Sequence, residues 1–167
     1  MGLAPMPLDA PIRAGSPAFR LRKHADYQRV YSAGRKQFSK QMTYFAMLRP
    51  AEDALTAATP RVGLTAGKVL GGAVERNRIK RRMREAVRMH LGELQLPLDV
   101  ILHPRRTVLT LEFAALEREV RQIFRSVQNA AAKGTLPPPQ AERSREPKKR
   151  NPKSPIKNSA PEKLSRG

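Results

Sequence analysis

The chain has no cysteine, which excludes disulfides, thiolate catalysis and cysteine-ligated zinc. It has no long apolar run either. Its longest uncharged apolar stretches, such as Val69 to Val74 and Val100 to Leu102, fall far short of the ~20 residues a membrane span needs. No basic segment followed by an apolar core opens the chain, so no secretory signal is expected. Acidic residues are scarce: 14 Asp and Glu stand against 33 Lys and Arg, giving a net charge of +19 and a pI near 11.4. Such a balance argues against an ordinary soluble enzyme and for a polyanionic partner, with nucleic acid ahead of an anionic membrane surface. A cytoplasmic protein is expected, with no membrane partner and no small-molecule substrate.

A visible catalytic set is also missing. A protein nuclease needs clustered metal-binding carboxylates or a histidine base. His24, His90 and His103 share no spacing. Glu75, Glu85, Glu117 and Glu119 sit at helical spacings from Arg or Lys that suit ion pairs. We therefore expect no catalytic and no metal-binding residue in this chain, which reads as a binder.

What the chain does have is concentrated between Gly71 and His90. Seven cations (Arg76, Arg78, Lys80, Arg81, Arg82, Arg84 and Arg88) crowd this stretch against Glu75 and Glu85. On a helix, Ile79, Met83, Ala86, Val87 and His90 fall within one arc of roughly 100°. Asn77, Arg81, Arg84 and Arg88 form a stripe on the opposite side. One face can seat on a core while the other grips phosphates. A merely solvated charged face is the competing reading. Against it, like charges one turn apart repel by a few tenths of a kcal/mol per pair unless a polyanion neutralises them.

The rest of the chain, 167 residues in all, suits one domain. Residues 1–19 carry four prolines and read as a flexible arm. Residues 23–33 predict a short helix with Tyr27, Val30 and Tyr31 on one side and Gly34 as its stop. Phe38 to Leu48 reads as a strand, Pro50 to Pro60 as a loop, and Arg61 to Ala66 as another strand. Gly67, Gly71 and Gly72 make a joint carrying Lys68. It is not a phosphate-binding loop, because Ala73 and Val74 stand where that pattern needs Lys then Ser or Thr. A short buried strand spans Leu98 to Leu102. A helix from a Thr110 cap carries Phe113, Leu116, Val120, Ile123, Phe124 and Val127 as its core stripe, and Lys133 and Gly134 end it. Residues 134–167, with seven prolines and nine cations, read as a disordered basic tail. The fold expected for 20–133 is a single α+β domain.

The run RVGLTAGKVLGGAVERNRIKRRMREAVR resembles the signature of the bacterial ribonuclease P protein component. Its Arg-Asn, Lys-Arg and Arg-Glu pairs fall here at Arg76-Asn77, Lys80-Arg81 and Arg84-Glu85. Upstream, DYQRVYSAGR resembles the family's first helix, with Tyr27 and Tyr31 four apart. Downstream, the spacing from Asp99 through Arg105 to Phe124 is similar too. The likeness covers roughly residues 20–128. Two places depart from it: Gly67 precedes Lys68 where the family commonly has Ser, and His103-Pro104-Arg105 replaces an aliphatic-Ala-Arg run.

The resemblance implies an αβββαβα domain, a sandwich like one domain of a ribosomal protein, with a left-handed crossover. The general rule for crossovers predicts a right-handed one. It also implies an RNA subunit that carries the hydrolysis and its Mg2+, with precursor tRNA as substrate and no cofactor on the protein. By similarity, Arg76, Asn77, Lys80, Arg81, Arg84 and Arg88 face RNA, joined by Lys68 and Arg105. Tyr27 and Tyr31, with Phe45 as floor, would receive the 5′ leader. Read as residues alone, Tyr27 and Tyr31 remain open between stacking and core filling. At the level of function, a structural or chaperoning RNA-binding protein remains the alternative.

Overall fold

The computed structural model describes residues 19–49 and 59–136. Most of the arm, the 50–60 loop and the tail lie outside the described residues. Those parts of them that are described belong to the packed domain. Phe19 packs against the core, and Leu136 is buried at its other end. These two residues lie just outside the bounds of 20 and 133 read from the sequence.

The first helix, α1 (His24–Ala33), places Asp26 in its first turn, where a carboxylate complements the N-terminal dipole. It ends at Gly34, whose N–H donates to the Val30 carbonyl at 2.8 Å. Gly34 is extended rather than left-handed. Glycine is needed there for closeness, since a Cβ would sit 2.4 Å from the Val30 oxygen.

The expected strand from Phe38 to Leu48 is a hairpin. Strand β1 (Arg35–Phe38) pairs antiparallel with β2 (Met42–Leu48), with Phe38 opposite Thr43 and Lys36 opposite Phe45. The hairpin is hard to read because β1 is a charged edge strand and its turn contains no Gly, Pro or Asn. A carboxylate from afar holds the turn: Gln41 N–H donates to Glu119 Oε1 at 2.7 Å, and the Ser39 hydroxyl donates to the same oxygen.

Strand β3 (Arg61–Leu64) is parallel to β4 (Leu98–Pro104), which pairs antiparallel with β2, giving the sheet order β1-β2-β4-β3. The connection from β3 to β4 runs through the 18-residue helix α2 (Ala73–His90). The last helix, α3 (Phe113–Ala132), starts later than Thr110 because residues 106–109 form a 3-10 turn. The elements thus run αβββαβα, as expected.

Alternation along the strands sends residues to two cores. Met42, Tyr44, Ala46, Val62, Leu98, Val100 and Leu102 meet Ile79, Met83 and Ala86 of α2 and Leu116, Val120, Phe124 and Val127 of α3. Met47 and Ile101 face the other way, onto Val30 of α1 and Leu21. The second side also holds a buried charge cluster. Asp99, fully buried, accepts from Arg61 Nε at 2.8 Å and Arg61 Nη2 at 2.6 Å, with Arg49 Nε at 3.4 Å. Arg61 reaches on to Asp26 at 3.1 Å and so ties α1 to the sheet. The hydrogen bonds it donates to Asp99 hold the Arg61 guanidinium above its ordinary pKa.

Candidate nucleic-acid interface

The basic helix begins at a glycine pair whose geometry its own first turn dictates. Gly71 has φ +121°, a region that disfavours side chains, and a Cβ there would collide with the Glu75 carboxylate. Glu75 bends back to accept the Gly72 N–H at 2.9 Å and takes Arg106 Nη2 at 2.9 Å. The Gly72 amide, then Arg106, hold Glu75 below the usual carboxylate range. Glu75 thus occupies the N-terminus of the helix with a carboxylate of its own.

Along α2, Asn77, Arg78, Arg81, Arg84 and Arg88 are exposed, while Arg76 and Lys80 are half-buried. Ile79, Met83 and Ala86 are buried on the opposite side. The amphipathic split is as expected, and Arg78 joins the exposed group. Two cations differ from the rest. Arg82 turns inward and caps the 3-10 turn, donating to the carbonyls of Leu109, at 3.0 Å, and Leu111. Arg88 is paired with Glu85 on the surface, so it reaches any phosphate already partnered. His90 packs beside α3, with Nε2 3.0 Å from Glu117 Oε1.

Lys68 lies exposed in the 3-10 turn before Gly71. Arg105 is exposed at the far end of β4, where its guanidinium donates to the Lys40 carbonyl at 3.3 Å. It therefore sits by the β1–β2 turn.

The aromatic residues gather on the α1 side of the sheet. Tyr31 meets Phe45 edge-on with ring centres 5.0 Å apart, and Tyr27 lies 6.4 Å from Tyr31. Both tyrosines are half-buried against the small core and keep an edge in solvent. Core filling and an open edge thus coexist in the same rings. The Tyr27 ring rests on Gly63, where a Cβ would come within 2.7 Å of its hydroxyl. Burial, then the neighbouring Tyr31, raises the Tyr27 pKa.

His103 completes this patch and was not among the expected site residues. Its ring lies 5.6 Å from Tyr31 and 5.5 Å from Phe45. The Tyr31 hydroxyl is 3.0 Å from Nε2 and the Thr65 hydroxyl 2.9 Å from Nδ1. Burial, then Lys36, lowers its pKa and so favours the neutral imidazole. The signal that finds it is the period of β4: positions 99, 101 and 103 share a face with 43, 45 and 47 of β2.

Two openings connect these parts. A groove of about 590 Å³ is lined by Tyr27, Leu21, Val62 and Leu64 together with Lys80, Arg81 and Arg84. A second, of about 530 Å³, runs past Thr43, Thr65, His103 and Arg105 to Gly67 and Val69. An apolar floor under a cationic rim accepts bases below and phosphates above.

Known proteins resemble this chain in sequence and in fold. The family model described as Ribonuclease P matches residues 16–128. The chain is 34% identical over 106 residues to the ribonuclease P protein component of Bacillus velezensis, covering 64% of this chain and 86% of that one. It is also 34% identical over 108 residues to that of Symbiobacterium thermophilum, covering 64% and 89%. Among solved structures, the Staphylococcus aureus RNase P protein superposes with a TM-score of 0.56 at 26% identity, covering 66% of this chain and 95% of that one. The RNase P protein from Thermotoga maritima, at 19% identity and a TM-score of 0.55, has the same fold over 64% and 96%.

Proposed function

The chain belongs to the ribonuclease P protein family, subunits of the endoribonuclease that matures tRNA 5′ ends, and on that premise we propose how its surfaces divide the work. The exposed side of α2, through Asn77, Arg81 and Arg84 with Arg76 and Lys80 beside them, holds the RNA subunit. The aromatic patch of Tyr27, Tyr31 and Phe45 takes the single-stranded 5′ leader of precursor tRNA. Arg105 adds charge to the opening beside His103, and Lys68 adds it from between Gly67 and Val69, which line the same opening. A role as a purely structural RNA-binding protein gives way to the family assignment.

One observation carries this reading. Tyr27 and the cations of α2 line the same groove, so a leader stacked on the aromatics runs directly into RNA held by the helix. Stacking on aromatic rings contributes ~1–3 kcal/mol per base with little sequence preference, which suits leaders of varied sequence.

We place the hydrolysis and its Mg2+ on the RNA subunit. Most carboxylates of the described residues are engaged elsewhere, which supports this. Asp26 and Asp99 hold Arg61, Glu93 holds Arg121 and Arg125, and Glu119 holds the β1–β2 turn. Among the described residues no group of three or more His, Cys, Asp or Glu is placed to hold a metal ion, and no helix is long and apolar enough to cross a membrane. We place the protein in the cytoplasm, with its tRNA substrate.

The test is cleavage of precursor tRNA at low magnesium by protein alone, RNA subunit alone, and both together. Only the combination is expected to cut efficiently. Cleavage by the protein alone would overturn the assignment of chemistry to RNA. For the leader, Tyr31→Ala is expected to weaken precursor tRNA binding and leave mature tRNA unchanged. An equal loss for both would return Tyr31 to a purely structural role.

A further inference from the structure

The sheet face that bears the aromatic patch does not end at Phe45. The strand registers carry its face on to β1: Thr65 lies beside His103, His103 is opposite Thr43, and Thr43 is opposite Phe38. One row thus runs from the residue after β3 across β4 and β2 to β1, past the side of α1 that bears Tyr31. Phe38 stands at its far edge with 66% of its surface exposed, about two strand spacings, or ~10 Å, from His103. Lys36, on the same face, places its ammonium 5.2 Å from the Phe38 ring centre and 5.8 Å from that of Phe45. Lys40 is exposed in the turn, while Arg35 points to the other side of β1, opposite Ala46, and the Glu119 carboxylate reaches the turn at Ser39 and Gln41 from the α3 side.

We propose that Phe38 and Lys36 form an outer leader subsite, in which an unpaired base stacks on Phe38 while Lys36 holds the adjoining phosphate. The inference rests on the leader reading above and extends it by one nucleotide position on β1. Charges on an edge strand commonly serve only to prevent pairing with another sheet. That accounts for Arg35 and Lys36 but not for a bare aromatic ring between cations, which makes such an edge stickier. Phe38 also borders an opening toward α3, but an exposed ring that shares the Lys36 ammonium with Phe45 fits a nucleotide on the α1 side.

The experiment uses the full chain assembled with its RNA subunit, and precursor tRNAs with leaders of about one to ten nucleotides. Unaltered protein is expected to gain affinity as the leader lengthens, in steps. Phe38→Ala removes only the outermost step, about tenfold in Kd, leaves short leaders and mature tRNA unchanged, and is rescued by Phe38→Trp. Lys36→Ala lowers the log–log salt slope for long leaders by ~0.7, one single-strand phosphate contact. Loss independent of leader length, or no loss at all, overturns the subsite. If Tyr31→Ala still acts through the leader in that case, the inner cleft stands. If Tyr31→Ala is also independent of the leader, the underlying reading falls instead. A change in the sedimentation of the free chain on Phe38→Ala, without a leader effect, would make β1 a self-association edge and would likewise overturn the subsite.

Discussion

Replacing Asp99 with Asn tests the charge cluster beneath α1 with little change of shape. The Asp99 side chain has 1% of its surface accessible, accepts two hydrogen bonds from Arg61 and lies 3.4 Å from Arg49, itself 3% accessible. Asn keeps the volume but removes the charge and turns one accepting oxygen into a donor facing guanidinium. Breaking a buried pair by neutralising one partner costs about 3–5 kcal/mol. Domains of this size have roughly 5–15 kcal/mol to lose. With a urea m-value of about 2 kcal/mol/M, the midpoint should fall by roughly 1.5–2.5 M with the slope unchanged. The Asp26–Arg61 arm is more open, at 11% and 20% accessible, so Asp26→Asn should cost less, on the order of 1 kcal/mol. Urea unfolding followed by far-ultraviolet circular dichroism measures both. A fall of under about 0.5 M for Asp99→Asn, or a larger one for Asp26→Asn, would refute the view that Asp99 anchors the cluster.

Three further outcomes follow from the geometry. Arg81→Ala and Arg84→Ala should each lower the log–log salt slope of RNA binding by roughly 0.7–0.9; Arg88→Ala should lower it less, because Glu85 already holds that side chain, and an unchanged slope for Arg81 and Arg84 would mean that the stripe faces only water. Gly63→Ala puts a methyl against the Tyr27 ring and should weaken precursor tRNA binding while sparing mature tRNA, as equilibrium binding to both will tell. His103 has a folded pKa below its unfolded value of 6.5, so its contribution to stability is present above pH 6.5 and is lost as pH falls through the folded pKa; His103→Gln should flatten that part of a thermal-melt pH profile, and an unaltered slope would show that the ring does not titrate there.

The sequence made the helices legible because each carries its own period. The stripes of α2 and α3 reach the core as Ile79, Met83 and Ala86 and as Leu116, Val120, Phe124 and Val127. Strand β1 was not legible, since its stability comes from pairing with β2 and from Glu119 eighty residues away in sequence at Ser39. For the same reason Glu119 and Glu75 did not pair at helical spacing: their partners, Ser39 and Gln41 or Arg106, come from other elements. Asp99, Arg49 and Arg61 looked like scattered charges until β2, β3 and β4 brought them together. In the aromatic patch, Tyr27 and Tyr31 announced themselves by helical spacing. His103 joined them only through strand register, which periodicity within one segment does not reveal.

Helix α2 is the sole covalent route from β3 to its parallel neighbour β4. The surface that meets RNA is therefore made by the segment whose docking also closes the sheet, and it cannot fray independently of the domain. A polyanion bound there is then a ligand for the whole folded state. At a free concentration one hundred times Kd it would add about 2.7 kcal/mol to the unfolding free energy, so the apo protein should melt well below the assembled particle.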